Sequence, residues 1–420
     1  MYPREQYLKE IISKKDNGRI KIITGLRRSG KSVLLFQLYR EWLLGEGVKE
    51  DQIIALALDI LENARYRNPL ELDKYVRDHM VDPKIQFVSE IQNPYVDNED
   101  AKITFIDVIL GFMHMDNADV YVTGSNSKML SSDILTQFRD RGDEIRVYPL
   151  SFAEFYNEWD KRGAWQDYYT YGGMPLATLL ESHEEKSRYL RDLFDRTYIK
   201  DVLERHEIKN DTEVLDILLD VLASGIGSLT NPSKLANTFK SERQIGIGSE
   251  TIEKYIGYFE ESFLIEKAVR YDVKGRKYIG TPAKYYYTDL GLRNARLGFR
   301  QLEETHIMEN VLYNDLIRRG MNVDVGVVEY NTKDADGKKI RRQLEVDFVV
   351  NQGGKRFYIQ SALSIADPDK KEQEIESLKR IPDSFSKMVV VRDYLKPWQD
   401  ENGITYVGIE QFLLNEELLK

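Results

Sequence analysis

Short apolar runs separated by longer stretches of helical periodicity fill the first 150 residues of the chain. Ile20-Lys21-Ile22-Ile23 stops at Gly25, and Val33, Leu34, Leu35 and Leu38 then take up helical spacing, so a buried strand passes through a tight loop into a helix. Residues 52–59, 84–90 and 118–124 read as further buried strands, and residues 3–16 as an amphipathic helix ahead of the first. Strands alternating with helices in this way predict a parallel sheet covered on both faces, with ligands meeting the residues just past the carboxyl ends of the strands.

The rhythm changes twice further on. Residues 151–210 carry aromatic and charged residues at helical spacing and predict a helical lid, in which Tyr169, Tyr171 and the Gly172-Gly173-Met174-Pro175 turn serve packing and linkage. Residues 211–300 predict a winged helix: one helix around Val214 to Leu222, a second over 231–239, a third from a capping Ser249 to Glu260, then a strand, a Lys274-Gly275-Arg276 turn and a second strand. Residues 301–420 return to α/β alternation, with helices over 305–319 and 370–380 and strands over 344–350, 356–363 and 387–391. A length of 420 residues agrees with several cores rather than one.

Composition narrows the chemistry. With no cysteine, disulfides and thiolate metal sites are excluded, and the five histidines (79, 114, 183, 206 and 306) form no H-E-x-x-H pattern. The first ten residues are too charged for a signal peptide and no apolar run approaches the roughly 18 residues of a membrane span, so a cytoplasmic protein without a membrane partner is expected. A net charge of −10 argues against wholesale coating of nucleic acid. Basic residues do cluster from Lys267 to Arg300, with Lys274, Arg276 and Lys277 at the wing, where double-stranded DNA is one candidate partner and an unknown protein the other.

The loop after the first strand reads Gly25-Leu26-Arg27-Arg28-Ser29-Gly30-Lys31-Ser32, which is G-x-x-x-x-G-K-S between a strand and a helix, a P-loop in its proper setting. Glycines at its two ends let backbone N–H groups face an anion at the positive end of the helix, Lys31 can reach the β- and γ-phosphates of ATP, and the Ser32 hydroxyl can ligate Mg2+. The third strand ends in Ser89-Glu90. The fourth ends in Thr123-Gly124-Ser125-Asn126, either a helix-capping loop or a place where a polar side chain senses the γ-phosphate.

Taken in order, the P-loop, Glu90-Ile91-Gln92, Val122-Thr-Gly-Ser-Asn-Ser-Lys-Met-Leu130, Arg141, Tyr148-Pro-Leu-Ser-Phe-Ala-Glu-Phe155, Tyr171-Gly-Gly-Met-Pro175, Tyr198-Ile-Lys-Asp201, Ile307-Met-Glu-Asn310, Glu345-Val-Asp-Phe348 and Tyr358-Ile-Gln-Ser361 resemble the AAA-type archaeal ATPase family. The resemblance covers nearly the whole chain. It implies an α/β AAA-like P-loop domain over 1–150, a lid over 151–210, the winged helix over 211–300 and a restriction-endonuclease-like α/β domain over 301–420. It further implies an ATP-controlled switch in which Lys31, Ser32 and Glu90 handle nucleotide while Asn126 and Arg141 read its state. A DNA-binding or DNA-processing module, and a protein-interaction switch without nucleic acid, are the alternatives.

Two departures from the family pattern bear on turnover. Ser89 stands where the family has the aspartate that steadies magnesium, and Asp140 precedes Arg141 where it has glycine. Hydrolysis impaired through magnesium is therefore expected, with Ser89→Asp raising the rate. In the C-terminal domain a Gly353-Gly354 turn sets Asp347 opposite Gln360 and Glu345 opposite Ala362. A nuclease of this type has a second carboxylate and a lysine where Gln360 and Ala362 stand. Glu309 and Asp347 alone then make a degenerate site that does not cut DNA, with a plain Asp347–Gln360 hydrogen bond as the simpler reading.

Overall fold

The computed structural model describes residues 2–58, 60–80, 85–90, 103–124, 138, 141–158, 162–208, 212–333 and 337–419. The chain divides into two compact units. The first comprises Met1–Pro149, Asp195–Asn210 and Glu261–Phe263, and the second Leu150–Phe194, Asp211–Glu260 and Leu264–Lys420.

The first unit is built on five parallel strands, β1 (Ile20–Thr24), β2 (Ile53–Ala57), β3 (Ile85–Glu90), β4 (Ala118–Thr123) and β5 (Gly142–Arg146), in the order β2-β3-β4-β1-β5. Because side chains alternate along a strand, each contributes to two cores. On one face Ile22, Leu56, Phe87 and Val122 pack with Phe105, Ile109 and Phe112 of the helix Phe105–Met113. On the other, Ile23, Val88, Tyr121 and Ile145 pack with Tyr7 and Ile11 of the helix Glu5–Lys14 and with Leu34, Leu35 and Tyr39 of the helical segment 31–45 that follows the phosphate loop. The lysine inside the first apolar run belongs to this second face. Lys21 is buried with its ammonium on Asp119, which also accepts from the Tyr121 hydroxyl, so the polar interruption is answered by a partner on the neighbouring strand.

The second unit begins with the helices Phe152–Glu158, Ala164–Tyr171 and His183–Leu193. Gly173, between the second and third, presses so closely on the Leu150 carbonyl that a Cβ would lie 2.1 Å from its oxygen. The helices Thr212–Ser224, Pro232–Arg243 and Ser249–Glu261 follow, then β6 (Ile265–Asp272) and β7 (Lys277–Tyr287) as an antiparallel hairpin, with Thr230 bridged to Ala283. That hairpin does not stand apart. β8 (Asn322–Lys333), which the sequence pattern did not signal, pairs parallel with β6 and antiparallel with β9 (Lys339–Gln352). With β10 (Lys355–Ala362), β11 (Ser386–Val391), β12 (Trp398–Gln399) and β13 (Ile404–Gly408) they form one mixed sheet, β12-β13-β11-β10-β9-β8-β6-β7, which crosses the expected boundary at residue 300.

Candidate functional site

The phosphate loop leaves β1 at Thr24 and turns at Gly25, where φ is +124° and a Cβ would lie 2.1 Å from the Val147 carbonyl oxygen. The first glycine is therefore demanded by the chain just beyond β5, whose Val147 N–H also donates to the Thr24 carbonyl at 2.9 Å. Leu26 is buried, Arg28 and Gly30 take positive φ, and Ser29 is buried with no hydrogen-bond partner for its hydroxyl. Lys31 lies in the curl of the loop and donates to the Gly25 and Leu26 carbonyls, both at 2.9 Å. Burial pulls its ammonium down to about 8, with Glu90 opposing that shift and Arg27 adding to it.

Ser32 donates its hydroxyl to Glu90 Oε2 at 2.8 Å. The strand register explains why Glu90, rather than the residue before it, makes this contact. Glu90 pairs with Thr123 of β4, which lies on the same face as Ile23 and the phosphate-loop helix, while Ser89 pairs with Leu56 and Val122 on the opposite face. Ser89 is fully buried there and its hydroxyl has no partner. The expectation that an aspartate at 89 would complete the magnesium site is thereby overturned: a carboxylate at 89 points into the apolar core around Phe87 and Phe112, and Glu90 already stands beside Ser32. The donor set fits a magnesium–nucleotide pair, since a lysine buried among carbonyls, a serine hydroxyl and a carboxylate converge at the carboxyl end of β3.

Arg27, on the outer side of the loop, donates to Asp201 Oδ1 and Oδ2 at 2.9 and 2.7 Å. Asp201 sits on the short helix Lys200–Arg205, part of the segment that the first unit reclaims from the middle of the chain. It was legible only as part of a motif, with no role attached. Arg141 is placed differently from expectation. It is exposed just ahead of Gly142, which pairs with Ile20 at the start of β1, whereas the phosphate loop follows Thr24 at the other end. The whole of β1, at about 3.3 Å per residue, separates the two, so Arg141 does not meet the phosphate site of its own chain. Asn126 lies outside the described residues.

The second unit gathers a different set of charges. The hairpin β9–β10 keeps the register set by the Gly353-Gly354 turn, with Val350 opposite Phe357 and Phe348 opposite Ile359. One step further, the Asp347 N–H donates to Gln360 Oε1 at 3.3 Å and the Ser361 N–H to Asp347 Oδ2 at 2.8 Å. Asp347 is thus tied to β10 through backbone groups, and the Gln360 side chain also bonds Glu374. Lys284, which the sequence offered only as one of the basic residues of the 267–300 stretch, completes this set. From β7 its ammonium reaches Glu309 Oε1 at 2.6 Å, Glu345 Oε1 at 2.7 Å and Asp347 Oδ1 at 3.9 Å, while the Tyr286 hydroxyl donates to the same Glu309 oxygen at 2.5 Å. Burial opposes the lysine's charge, but Glu309, Asp347 and Glu345 outweigh it and hold Lys284 above the ordinary lysine range. For Glu309, burial is overcome by Lys284 and its hydrogen bonds, so its carboxyl stays below the usual range, whereas burial and the Glu309 charge push Asp347 well above it. The cluster gathers three carboxylates around one buried ammonium, with Glu309 held below the usual range, Asp347 pushed well above it and Glu345 half-exposed.

Other members of the basic stretch are also engaged. Arg293 is buried and donates to the Ala223 carbonyl at 2.8 Å, and Arg296 pairs with Asp220 and Asp216 at 2.6 and 3.1 Å. At the hairpin, Lys274 donates to the Glu329 carbonyl at 2.9 Å, while Arg276 and Lys277 are exposed.

Residues 17–156 match the model of the AAA domain family, and residues 162–303 match a domain of unknown function (DUF8612). An uncharacterized protein of Haemophilus influenzae is 32% identical over 424 residues, covering 99% of each chain. An uncharacterized protein of Methanocaldococcus jannaschii is 28% identical over 382 residues, 86% of this chain and 78% of that one. Among solved structures, the Walker-type ATPase of Pyrococcus abyssi shares 12% identity, covers 71% of this chain and 96% of its own, and superposes with a TM-score of 0.46. The five-stranded parallel sheet with its phosphate loop is a P-loop NTPase fold. No helix among the described residues is long and apolar enough to cross a membrane.

Proposed function

The chain belongs to the AAA-type archaeal ATPase family, and on that premise we propose that it binds ATP with magnesium as a slowly hydrolysing, nucleotide-controlled switch. The observation that carries this reading is the convergence of Lys31, Ser32 and Glu90 at the end of β3. Lys31 is a buried cation that donates to two carbonyl oxygens, ready to exchange them for phosphate oxygens. Ser32 and Glu90 are the groups that would hold the metal, whose chemistry is to neutralise charge on the β- and γ-phosphates.

Slow hydrolysis is supported by how Glu90 is engaged. With its carboxylate on the Ser32 hydroxyl, Glu90 serves the metal side of the site rather than being free to orient water. Switching is supported by the Arg27–Asp201 contact, which ties the phosphate loop to the helix Lys200–Arg205. Repositioning Arg27 toward an anion would release that helix. Calorimetry with ATP and Mg2+ tests the binding, which Lys31→Ala abolishes. Hydrogen exchange tests the switch, since ATP should raise exchange in residues 200–205 and Asp201→Asn should raise it without ATP. ATP binding with unchanged exchange would leave a nucleotide site and remove the switch.

DNA binding at the wing is the second reading. The helix order, the bridge from Thr230 to Ala283 and the exposed Arg276 and Lys277 support it. With Lys284, Arg293 and Arg296 engaged internally, the surface left for phosphate is narrow, so a duplex contact should be weak and steeply salt-dependent. Binding that is independent of salt would favour a protein partner at the same hairpin. The Lys284 cluster supports a nuclease-like domain that does not cut, because the positions that would ligate a metal are occupied by the protein's own ammonium.

A further inference from the structure

Beside the wing hairpin, the second unit opens into a cleft of about 720 Å3, within the range of small-molecule sites. Its aromatic wall comes from a cross-strand pair. Tyr271 of β6 lies opposite Tyr278 of β7, with ring centroids 5.4 Å apart and planes at 62°. The two rings differ in exposure. Tyr271 is buried under the Arg356 guanidinium, 5.3 Å from its centroid, whereas Tyr278 is 66% exposed. The outer ring is braced from below by the inner one, and its hydroxyl reaches Asp324 Oδ2 at 3.4 Å. A ring fixed in orientation and open to solvent is a stacking platform whose side-chain entropy is already spent.

The cleft is also cationic. Lys267 lies on the same face of β6 as Tyr271, and Arg276 projects from the hairpin turn; among the described residues neither side chain makes an ion pair. Arg356 completes three cations and is anchored by its Nε on Asn351 Oδ1 at 2.8 Å. One acid, Asp324, faces them. It is buried, and burial holds its carboxyl above the usual range while the Tyr278 hydroxyl and Arg356 favour its charge. The amides of Asn322 and Asn351 also line the cleft and can both donate and accept, which is the chemistry of a base edge.

We propose that this cleft binds a nucleotide unit, with the base stacked on Tyr278 and the phosphate met by Lys267 and Arg276. The inference does not rest on the phosphate-loop reading. It differs from duplex docking, because stacking on Tyr278 needs a base with a free face, whereas bases within a duplex are covered by their stacked neighbours. A free mononucleotide and one residue of a single strand present the same chemistry.

Titration separates them. Full-length protein carrying Lys31→Ala, which silences the phosphate loop, is titrated with thymidine monophosphate and with a fluorescent oligothymidylate at about 50 mM salt. Binding is expected, weakened about five- to hundredfold by Tyr278→Ala, the scale of one lost base stack, and retained by Tyr278→Phe. Arg276→Ala should weaken both probes and flatten the salt dependence of the strand. A strand bound at least about tenfold tighter than the mononucleotide identifies single-stranded nucleic acid as the source, and the reverse or equality identifies a free nucleotide. Tyr278 is exposed and Arg276 sits in a turn, so circular dichroism should show both variants folded. If neither probe binds, or if Tyr278→Ala and Arg276→Ala leave the affinities unchanged, the proposal is overturned.

Discussion

Nucleotide affinity should depend on pH through Lys31. Its ammonium is buried against the Gly25 and Leu26 carbonyls, and burial lowers it from the ordinary 10.5 to about 8. A phosphate in place of those carbonyls favours the charged form, so binding must take up a proton wherever the free protein has lost it. At pH 7 about nine in ten molecules carry the proton, and at pH 9 about one in ten, so the apparent dissociation constant should rise about tenfold between them. That is about 1.4 kcal/mol. The folding equilibrium carries the opposite sign. Because the folded value lies below the unfolded one, the unfolded chain binds more protons between about pH 8 and 10.5, and stability of the nucleotide-free protein should rise across that window. Calorimetry of ATP binding from pH 7 to 9, in two buffers of different ionisation enthalpy, measures both affinity and proton uptake. Lys31→Arg, which stays charged throughout, serves as the control for titration of the nucleotide itself. Flat affinity across this range, or a slope shared equally by Lys31→Arg, would show that the lysine is not desolvated in the loop and that the reasoning fails.

Four further outcomes follow from the same contacts. Glu90→Gln should weaken magnesium-dependent ATP binding about tenfold or more as well as slowing turnover; unchanged affinity with lost turnover would make Glu90 a base and nothing else. Ser89→Asp should lower the melting temperature, because it buries a carboxylate on the apolar face of β3, and should leave the ATPase rate no higher; a faster enzyme would restore the magnesium explanation. Lys284→Ala should cost about 3–5 kcal/mol in denaturant unfolding, the scale of a buried pair broken on one side, and a loss under about 1 kcal/mol would mean the cluster is solvated. Plasmid and single-stranded DNA should survive incubation with the protein in magnesium or manganese, and cleavage that disappears in Asp347→Ala would show a live nuclease site.

The elements around the phosphate loop were legible because their signals are local. An apolar run, a G-x-x-x-x-G-K-S loop and a helical repeat within a few residues of one another specify strand, loop and helix without help from the rest of the chain. What failed was phase. Whether residue 89 or 90 faces the phosphate-loop helix depends on which neighbours β3 pairs with, and a shift of one residue reverses the answer. Gly25 shows the same limit, since its motif points to phosphate while its closest constraint is Val147 from beyond β5. Arg141 was misplaced because motif order says nothing about which end of a parallel strand a residue occupies. β8 escaped notice because its apolar residues are interrupted by Asp324, Gly326 and Glu329, and its burial comes from lying between β6 and β9.

The carboxylate cluster in the second unit shows why a site can look degenerate in sequence and be internally consistent in space. The Gly353-Gly354 turn fixed the β9–β10 register, and with it the neighbourhood of Asp347, from sequence alone. The lysine was sought on β10, at Ala362, and it comes instead from β7. Once an ammonium is held by Glu309 and Glu345 inside a buried site, a further acid at position 360 would add a negative charge with no cation to meet it. Gln360 is neutral, offers its carbonyl oxygen to the Asp347 N–H and engages Glu374 through the same side chain. Burial and the Glu309 charge push Asp347 well above the usual carboxylate range, so the site already disfavours another negative charge. The missing acid and the imported lysine are therefore two parts of one charge balance, and Gln360→Glu alone should destabilise this unit rather than rebuild a metal site.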